Sequence, residues 1–275
     1  MILADYHLHT DFSIDSDTPM EDMVKQAIAL GLERICFTDH VEFDLPAMPD
    51  GSAYEFDPAY LSEISRLREQ YAGSIKILAG AELGVTSHIA QTLEQFTAQY
   101  PFDFIIASSH VVHGLDPYDP RYWDGISGEE GLMRYFRTIV ENVRTFRNFD
   151  TYGHIDYVIR YIPEVQSGAA SAYGLYSYDK FSDILDEILK TLIAARKLME
   201  INTSGFKYGL GHPHPYEDVI KRYFELGGQY VTIGSDAHAP AHIAYCFENV
   251  RQFLLSIGVK EYAVFENRKP IFLPL

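Results

Sequence analysis

Short apolar runs alternate with longer amphipathic segments along the whole chain. The short runs predict β-strands, and the amphipathic segments between them predict α-helices. The predicted strands lie within residues 2–10, 34–38, 75–81, 102–107, 150–154, 198–202 and 230–234. The predicted helices span about 18–30, 57–71, 87–99, 128–146, 178–196, 215–226 and 240–257. Because strands and helices alternate in this way, we expect a parallel sheet that is closed, or nearly closed, into a barrel.

Residues that favour helix ends support several of these boundaries. Thr18 is the predicted N-cap of the first helix, with Pro19 in its first turn, and Gly31 is the predicted stop. Asp57 and Ser87 are the predicted caps of the next two helices.

The rest of the chain is predicted to form loops after the strands and a C-terminal tail. The main loops cover residues 42–56, 156–178 and 203–214. A loop as long as 156–178 inside a compact domain more often has a function than not. The chain has 275 residues and no repeat or linker that would divide it, so we expect a single domain over residues 1–275.

The composition restricts the expected partners and compartment. The formal net charge is -17 and the sequence pI is about 4.9. An acidic chain repels the phosphate backbone, so nucleic acid is not an expected partner. The sequence has neither a signal-peptide pattern nor an apolar run long enough to span a bilayer. Its two cysteines, Cys36 and Cys246, fit a reducing compartment, so we expect a cytoplasmic protein without a membrane segment.

Histidines and carboxylates stand at the carboxyl ends of the predicted strands. His7 and His9 are two residues apart, so they point to the same face of a strand, and the same argument applies to Asp236 and His238. The full set is His7, His9, His40, Glu82, His110, His154, Asp236 and His238. Any one of them could be an ordinary polar residue at a strand end. In barrel enzymes this end carries the active site, so together they predict one shared site.

These residue types predict a centre with more than one divalent metal ion. Imidazole nitrogens and carboxylate oxygens suit zinc, manganese and iron. One ion takes three or four protein ligands, so we expect about two to three ions. Glu82 is the predicted bridge between two of them, because we find no other Glu at the end of an apolar strand. Four histidines in predicted helices or loops are not included: His88, His212, His214 and His242.

The same residues carry a resemblance to a known family. The motifs are Asp5-Tyr6-His7-Leu8-His9-Thr10, Thr38-Asp39-His40, Glu82, Ser109-His110, Gly153-His154-Ile155-Asp156 and Ser235-Asp236-Ala237-His238. Over nearly its whole length the chain resembles the polymerase-and-histidinol-phosphatase (PHP) superfamily. The resemblance implies an α/β fold, a distorted (β/α)7 TIM-like barrel, with a three-metal site.

The resemblance also implies which residues hold each ion. The implied ligands are His7, His9, Glu82 and Asp236 for the first ion, Glu82, His110 and His154 for the second, and Asp15, His40 and His238 for the third. Asp15 stands where some relatives carry histidine, and Asp17 is the alternative ligand if the loop register differs. Among these ligands, the predicted catalytic residues are Glu82, Asp236 and His238.

Two further stretches, Gly153 to Tyr161 and 200–205, are similar to the histidinol-phosphatase branch of that superfamily. This resemblance implies hydrolysis of L-histidinol phosphate to L-histidinol and phosphate by a metal-activated hydroxide. Arg160 and Lys207 are the predicted phosphate contacts, and His113, three residues past His110, is a further candidate for the substrate.

Other functions remain open at this point. The chain could act on another small phosphate ester, form a nuclease-type PHP module, or be a binding module without activity. A nuclease needs a basic groove with exposed aromatic residues, and a net charge of -17 disfavours it. The full set of ligand residues disfavours an inactive module.

Overall fold

The computed structural model describes residues 1–45 and 54–275, so the middle of the predicted 42–56 loop lies outside the described residues. The strands are β1 (Ala4–Leu8), β2 (Arg34–Phe37), β3 (His40–Val41), β4 (Lys76–Gly84), β5 (Phe104–Ser108), β6 (Thr151–Tyr152), β7 (Leu198–Asn202), β8 (Val231–Gly234), β9 (Glu261–Glu266) and β10 (Lys269–Pro274). The helices are α1 (Met20–Ala29), α2 (Ala59–Gln70), α3 (Ala90–Gln99), α4 (Gly128–Thr145), α5 (Pro163–Gln166), α6 (Ala172–Leu175), α7 (Ser182–Ala194), α8 (Ser204–Lys207), α9 (Glu217–Glu225) and α10 (Phe247–Ser256).

Seven of the strands form the wall of a nearly closed parallel barrel. They follow the order β1-β2-β4-β5-β6-β7-β8, and the short β3 pairs with β4 outside this path. The two ends of the path meet after β1 and β8, where the amide of His9 donates to the carbonyl of Ala237 over 2.9 Å. This geometry confirms the predicted distorted (β/α)7 TIM-like barrel.

Several predicted boundaries differ from the observed ones. Thr18 does not cap α1; its hydroxyl donates to the carbonyl of His238 over 2.8 Å and joins the first loop to the last one. Ser87 starts a short 3₁₀ turn ahead of α3 and makes no side-chain cap. The predicted 156–178 loop contains two one-turn helices, α5 and α6. Gly31 does end the first helix, with a φ of 75° that favours glycine.

Only a tail was predicted at the C-terminus. The structure shows that this tail forms the β9–β10 hairpin across the amino end of the barrel. The ring of Phe265 stacks on Phe104 at a centroid distance of 5.3 Å, and the hydroxyl of Tyr6 donates to the carbonyl of Phe265 over 3.0 Å. Pro270 and Pro274 argue against a strand in the sequence, but β10 is an edge strand, where proline is tolerated. The hairpin covers the amino end, so the carboxyl end is the one left for a site.

Truncating Phe265 is expected to destabilise the whole barrel. The side chain is 5% exposed, so Phe265→Ala should lower the free energy of unfolding by about 3–5 kcal/mol. Phe272→Ala in the same hairpin is the matched control, because Phe272 is 42% exposed and should cost only about 1 kcal/mol. Urea unfolding measures both, and equal losses for the two variants would show that the hairpin does not pack on the barrel core.

None of the helices in the described parts of the chain is long and apolar enough to cross a membrane.

Candidate metal centre

His7 and His9 project from the end of β1 into the carboxyl end of the barrel. Both side chains are fully buried, and their Nε2 atoms lie 3.2 and 3.5 Å from Oε2 of Glu82. The chain of β8 approaches very closely here: a Cβ atom on Gly234 would lie 2.3 Å from Cβ of His7. Glycine at this position therefore leaves room for the imidazole of His7, and the predicted alternation of the two histidines is observed.

Glu82 lies at the middle of the cluster and faces a different group of rings with each oxygen. On the side of Oε2, beside His7 and His9, Nδ1 of His40 lies 3.1 Å away. On the side of Oε1, Nε2 of His110 lies 3.3 Å away and Nε2 of His154 lies 2.9 Å away. Glu82 was predicted at the end of its strand, but it lies within β4. The strand continues to Gly84 and pairs with β3 and β5.

Asp236 and His238 reach the same cluster by a different route from the predicted one. β8 ends before them, and Asp236 has a left-handed φ of 55°, so the alternation of a strand does not apply. Oδ1 of Asp236 lies 3.4 Å from Nε2 of His9 and 3.5 Å from Nδ1 of His238. A non-glycine residue in this backbone region is uncommon and often occurs at functional sites.

A third group forms at the solvent side of the cluster around Asp15. Its Oδ2 atom lies 3.1 Å from Nε2 of His238 and 3.7 Å from Nε2 of His40. Asp17 is exposed, and no contact recorded for the described residues joins it to this group. The structure therefore brings Asp15, and not Asp17, together with His40 and His238.

Two buried carboxylates, which were not predicted from the sequence, contact imidazole rings of the cluster at their Nδ1 atoms. Oε1 of Glu200 lies 2.6 Å from Nδ1 of His7, and Oε1 of Glu42 lies 2.5 Å from Nδ1 of His110. A carboxylate on Nδ1 fixes the ring tautomer and leaves Nε2 as the ligand atom, which is common around metal-binding histidines. These contacts direct the Nε2 atoms towards Glu82.

Sequence signals for both carboxylates exist. Glu42 follows His40 by two residues, so the alternation used for His7 and His9 applies to this pair as well. Glu200 is a single charge inside the apolar strand β7, which shows that Glu82 is not the only Glu in such a position.

The charges of the cluster strongly perturb each other. Burial lowers the pKa of His7, but the Glu200 and Glu82 carboxylates outweigh it and hold that pKa well above its usual value. Burial raises the pKa of Glu82, and the neighbouring rings of His7 and His110 hold it well below its usual range. Burial, together with His238 and other nearby rings, lowers the pKa of His9 to about 3.

The donor atoms fit divalent metal ions. Nε2 of His7, Nε2 of His9 and Oε2 of Glu82 are buried and make no hydrogen bond with any described residue, although buried polar atoms normally have a partner. The described residues contain five groups of donor atoms that lie within 4.8 Å of one another. They are His7, His9 and Glu82; Glu82, His110 and His154; His9, Asp15, His40 and His238; His7, His154 and Asp236; and His40, Glu42 and His110. Nitrogen and oxygen donors in such groups suit zinc and similar ions.

Arg160 lies beside this cluster in a cage of tyrosines. Its guanidinium carbon is 5.1, 4.8 and 4.1 Å from the ring centroids of Tyr157, Tyr161 and Tyr208. Its Nε and Nη1 atoms are buried and make no hydrogen bond within residues 1–45 and 54–275. Burial lowers the pKa of Arg160, but the tyrosines and the Asp236 carboxylate raise it. The ring of Tyr157 in this cage lies 4.6 Å from the ring of His154, which connects Arg160 to the cluster. Two open N–H groups beside a cationic centre can bind an anion.

The other two predicted substrate contacts differ in position. Nζ of Lys207 donates to the carbonyl of Asp236 over 3.3 Å and lies 4.8 Å from the ring of Tyr208, so this residue is at the rim of the cluster. His113 is exposed, in a turn with a φ of 52°. Within the described part of the chain, no recorded contact brings His113 to the cluster.

Comparisons with known proteins agree with this geometry. The family model of the PHP domain matches residues 5–204. The chain is 34% identical over 267 residues to a histidinol-phosphatase of Lactococcus lactis, which covers 96% of this chain and 95% of the relative. It is 32% identical over 271 residues to a probable histidinol-phosphatase of Clostridium acetobutylicum, with 97% of this chain and 98% of the relative covered.

A solved structure is similar over the same length. It is the crystal structure of histidinol phosphate phosphatase from Lactococcus lactis, complexed with zinc, L-histidinol and phosphate. The TM-score is 0.88 and the sequence identity 32%, and the match covers 98% of this chain and 99% of the other. The barrel, the cluster of histidines and carboxylates around Glu82 and these relatives together show that the chain belongs to the PHP domain family.

Proposed function

We propose that this protein is a histidinol-phosphatase, which hydrolyses L-histidinol phosphate to L-histidinol and phosphate in a centre of divalent metal ions. The observation that carries this proposal is the position of Glu82 between two sets of imidazole nitrogens. Arg160 contacts the ring of Tyr157, which packs against His154 of the same cluster. The relative that was solved with zinc, L-histidinol and phosphate supports the choice of substrate and of zinc. Manganese or iron would suit the same donor atoms.

The five groups of donor atoms share ligands with one another, and three ions would use all the predicted ligand residues, so they support a centre of about two to three ions. The proposed ligands are His7, His9, Glu82 and Asp236 for the first ion, Glu82, His110 and His154 for the second, and Asp15, His40 and His238 for the third. Glu82 is the proposed bridge, since each of its oxygens faces a different group. Ions held there would neutralise the charge of the phosphate and lower the pKa of a coordinated water.

The side chains around the ions have separate roles in this proposal. Burial raises the pKa of Asp236, but His7 and His9 hold it well below its usual range, so the carboxylate is ionised, and it could bind a metal ion and orient the attacking water by a hydrogen bond. Nδ1 of His238 lies 3.1 Å from the backbone carbonyl of Asp236 and 3.5 Å from its Oδ1, so His238 helps to hold Asp236 in place. Glu200 and Glu42 keep the rings of His7 and His110 in place.

Truncating Arg160 should weaken catalysis without loss of metal. The Arg160→Ala variant lacks the planar fork that binds two phosphate oxygens. Its kcat/KM for L-histidinol phosphate should therefore fall by a factor that corresponds to about 2–4 kcal/mol of transition-state stabilisation. Arg160→Lys should recover only part, because an ammonium group cannot make the fork. Kinetics and elemental analysis of the variants measure both effects.

The matched control is Arg144→Ala. Arg144 is an exposed arginine of α4 that pairs with Glu187 and should not affect turnover. If Arg160→Ala behaves like this control with its metals intact, Arg160 does not bind the phosphate, and Lys207 is the next candidate.

Phosphate release from a panel of substrates tests the proposed function. The metal-loaded protein should hydrolyse L-histidinol phosphate with a much higher kcat/KM than p-nitrophenyl phosphate or glycerol phosphate. Preference for another small ester would refute the proposed substrate, and cleavage of single-stranded DNA as the main activity would favour a nuclease.

The domain organisation and the cellular compartment are further parts of this proposal. We infer that residues 1–275 act as one domain, because one cluster of buried side chains extends from Ile2 to Phe265. We also infer a cytoplasmic enzyme that acts on a small molecule and not on nucleic acid, in line with its two free cysteines and its net charge of -17.

A further inference from the structure

His214 is a fully buried histidine that belongs to none of the metal-ligand groups. Its Nδ1 atom lies 2.7 Å from Oδ1 of Asp156, whose other oxygen accepts the amide of Tyr216 over 2.9 Å. A carboxylate accepts hydrogen bonds, so Nδ1 of His214 carries the hydrogen and Nε2 carries a lone pair. Nε2 is buried and makes no hydrogen bond with the described residues. It is thus an acceptor in a fixed position that lacks a donor.

The backbone of His214 pairs with Asn202, a residue whose side chain contacts the metal centre. His214 and Asn202 form an antiparallel bridge, with each amide donating to the other carbonyl over 2.7 Å. Side chains of directly opposed residues lie on the same face of such a pair. The side chain of Asn202 points to the centre, where its Nδ2 atom donates to Oδ2 of Asp236 over 3.3 Å. The imidazole of His214 therefore lies on the same face of this pair as the side chain of Asn202.

The charges around His214 keep its ring neutral. Burial lowers the pKa of His214 to about 4, and the positive charge of Arg160 adds to the effect despite the contact with Asp156. At neutral pH the ring can therefore accept a hydrogen bond at Nε2 but cannot donate one there.

These properties select one part of the substrate. Phosphate oxygens carry negative charge and need donors, so Arg160 suits them and Nε2 of His214 does not. The histidinol part carries N–H groups on its imidazole ring and on its amine, and either one could fill the open acceptor. A site with a buried acceptor rejects analogues that lack the matching donor, because the acceptor is then left unpaired.

We propose that His214, held by Asp156, is a specificity-determining residue whose Nε2 accepts a hydrogen bond from an N–H group of the histidinol part of the substrate. This inference rests on the proposed function. It explains how the enzyme would distinguish its substrate from other phosphate monoesters that the metal ions alone could hydrolyse.

Two variants of the metal-loaded enzyme separate the acceptor from the rest of the ring. In His214→Asn the amide N–H can still donate to Asp156, but the acceptor at Nε2 is lost. In His214→Gln an amide oxygen can take the place of Nε2. For L-histidinol phosphate, His214→Asn should lower kcat/KM about 10- to 100-fold, mainly through KM, and His214→Gln should recover part of it. For p-nitrophenyl phosphate neither variant should change kcat/KM.

Two further esters identify the donor. 3-(Imidazol-4-yl)propyl phosphate has the ring without the amine, and ethanolamine phosphate has the amine without the ring. The ester that carries the donor should be sensitive to His214→Asn, and the other should not. An equal loss on all esters, p-nitrophenyl phosphate included, would show a purely structural role, and no loss on L-histidinol phosphate would also overturn the inference.

The wild-type enzyme provides a test that needs no folded variant. L-Phenylalaninol lacks the imidazole N–H of L-histidinol, and 3-(imidazol-4-yl)propanol lacks its amine. The analogue that lacks the recognised N–H should inhibit about 10-fold or more weakly than L-histidinol. Equal inhibition by all three compounds would refute the role of His214. If the wild type hydrolyses other esters but not L-histidinol phosphate, the proposed function itself fails, which is a distinct result.

Discussion

Replacing Glu82 by Gln is expected to lower kcat on L-histidinol phosphate on the order of 10³-fold and to reduce the metal content of the protein. Each oxygen of Glu82 faces a different group of imidazole nitrogens, so one substitution disturbs two ion positions. An amide also has no negative charge to share between two cations, and its NH₂ group cannot serve as a metal ligand. The loss should therefore exceed that of an ordinary single ligand.

The matched control for this variant is Glu42→Gln. Glu42 is also buried in the cluster, but it contacts Nδ1 of His110 from behind and does not face the donors on both sides of Glu82. Its loss should cost about 10- to 100-fold in metal affinity or activity. Elemental analysis and steady-state kinetics of both variants provide the comparison. A Glu82→Gln protein with wild-type turnover and metal content would show that Glu82 is not the bridge.

Removal of the metal ions should abolish the phosphatase activity without unfolding the barrel. After treatment with a chelator, phosphate release should fall to background, and zinc or manganese should restore it. The barrel should remain folded, since its core and the hairpin contacts do not involve the cluster. Its melting temperature should nevertheless drop, because ions that bind only the folded state stabilise it.

Circular dichroism before and after chelation separates loss of metal from loss of fold. Elemental analysis of the untreated protein should give about two to three ions per chain. Full activity in a protein verified to be free of metal would contradict the proposed mechanism.

The sequence predicts the barrel and most of the metal centre because each depends on a local regularity. Apolar runs of strand length recur along the chain, and the site residues follow them at the same end. Alternation in a strand correctly placed His7 and His9 on one face. Asp236 and His238 do lie together, as predicted, but not because of strand alternation. β8 ends before them, and Asp236 has a left-handed backbone conformation.

What the sequence did not predict depends on contacts between distant segments. Glu200 lies 193 residues from His7, and Asp156 lies 58 residues from His214, so neither pair leaves a spacing pattern. The C-terminal hairpin was missed for a similar reason: its two prolines argue against a strand, while its packing on Phe104 and Tyr6 becomes visible only in the folded barrel.

Anomalous X-ray scattering from crystals of the zinc-loaded protein is the most direct test of the central claim, that Glu82 gathers the catalytic metal ions. We expect two peaks about 2.0–2.2 Å from Glu82, one at each carboxylate oxygen. The peak at Oε2 should also lie near Nε2 of His7 and His9, and the peak at Oε1 near Nε2 of His110 and His154. A single peak, or peaks that are all beyond bonding distance of Glu82, would contradict the account.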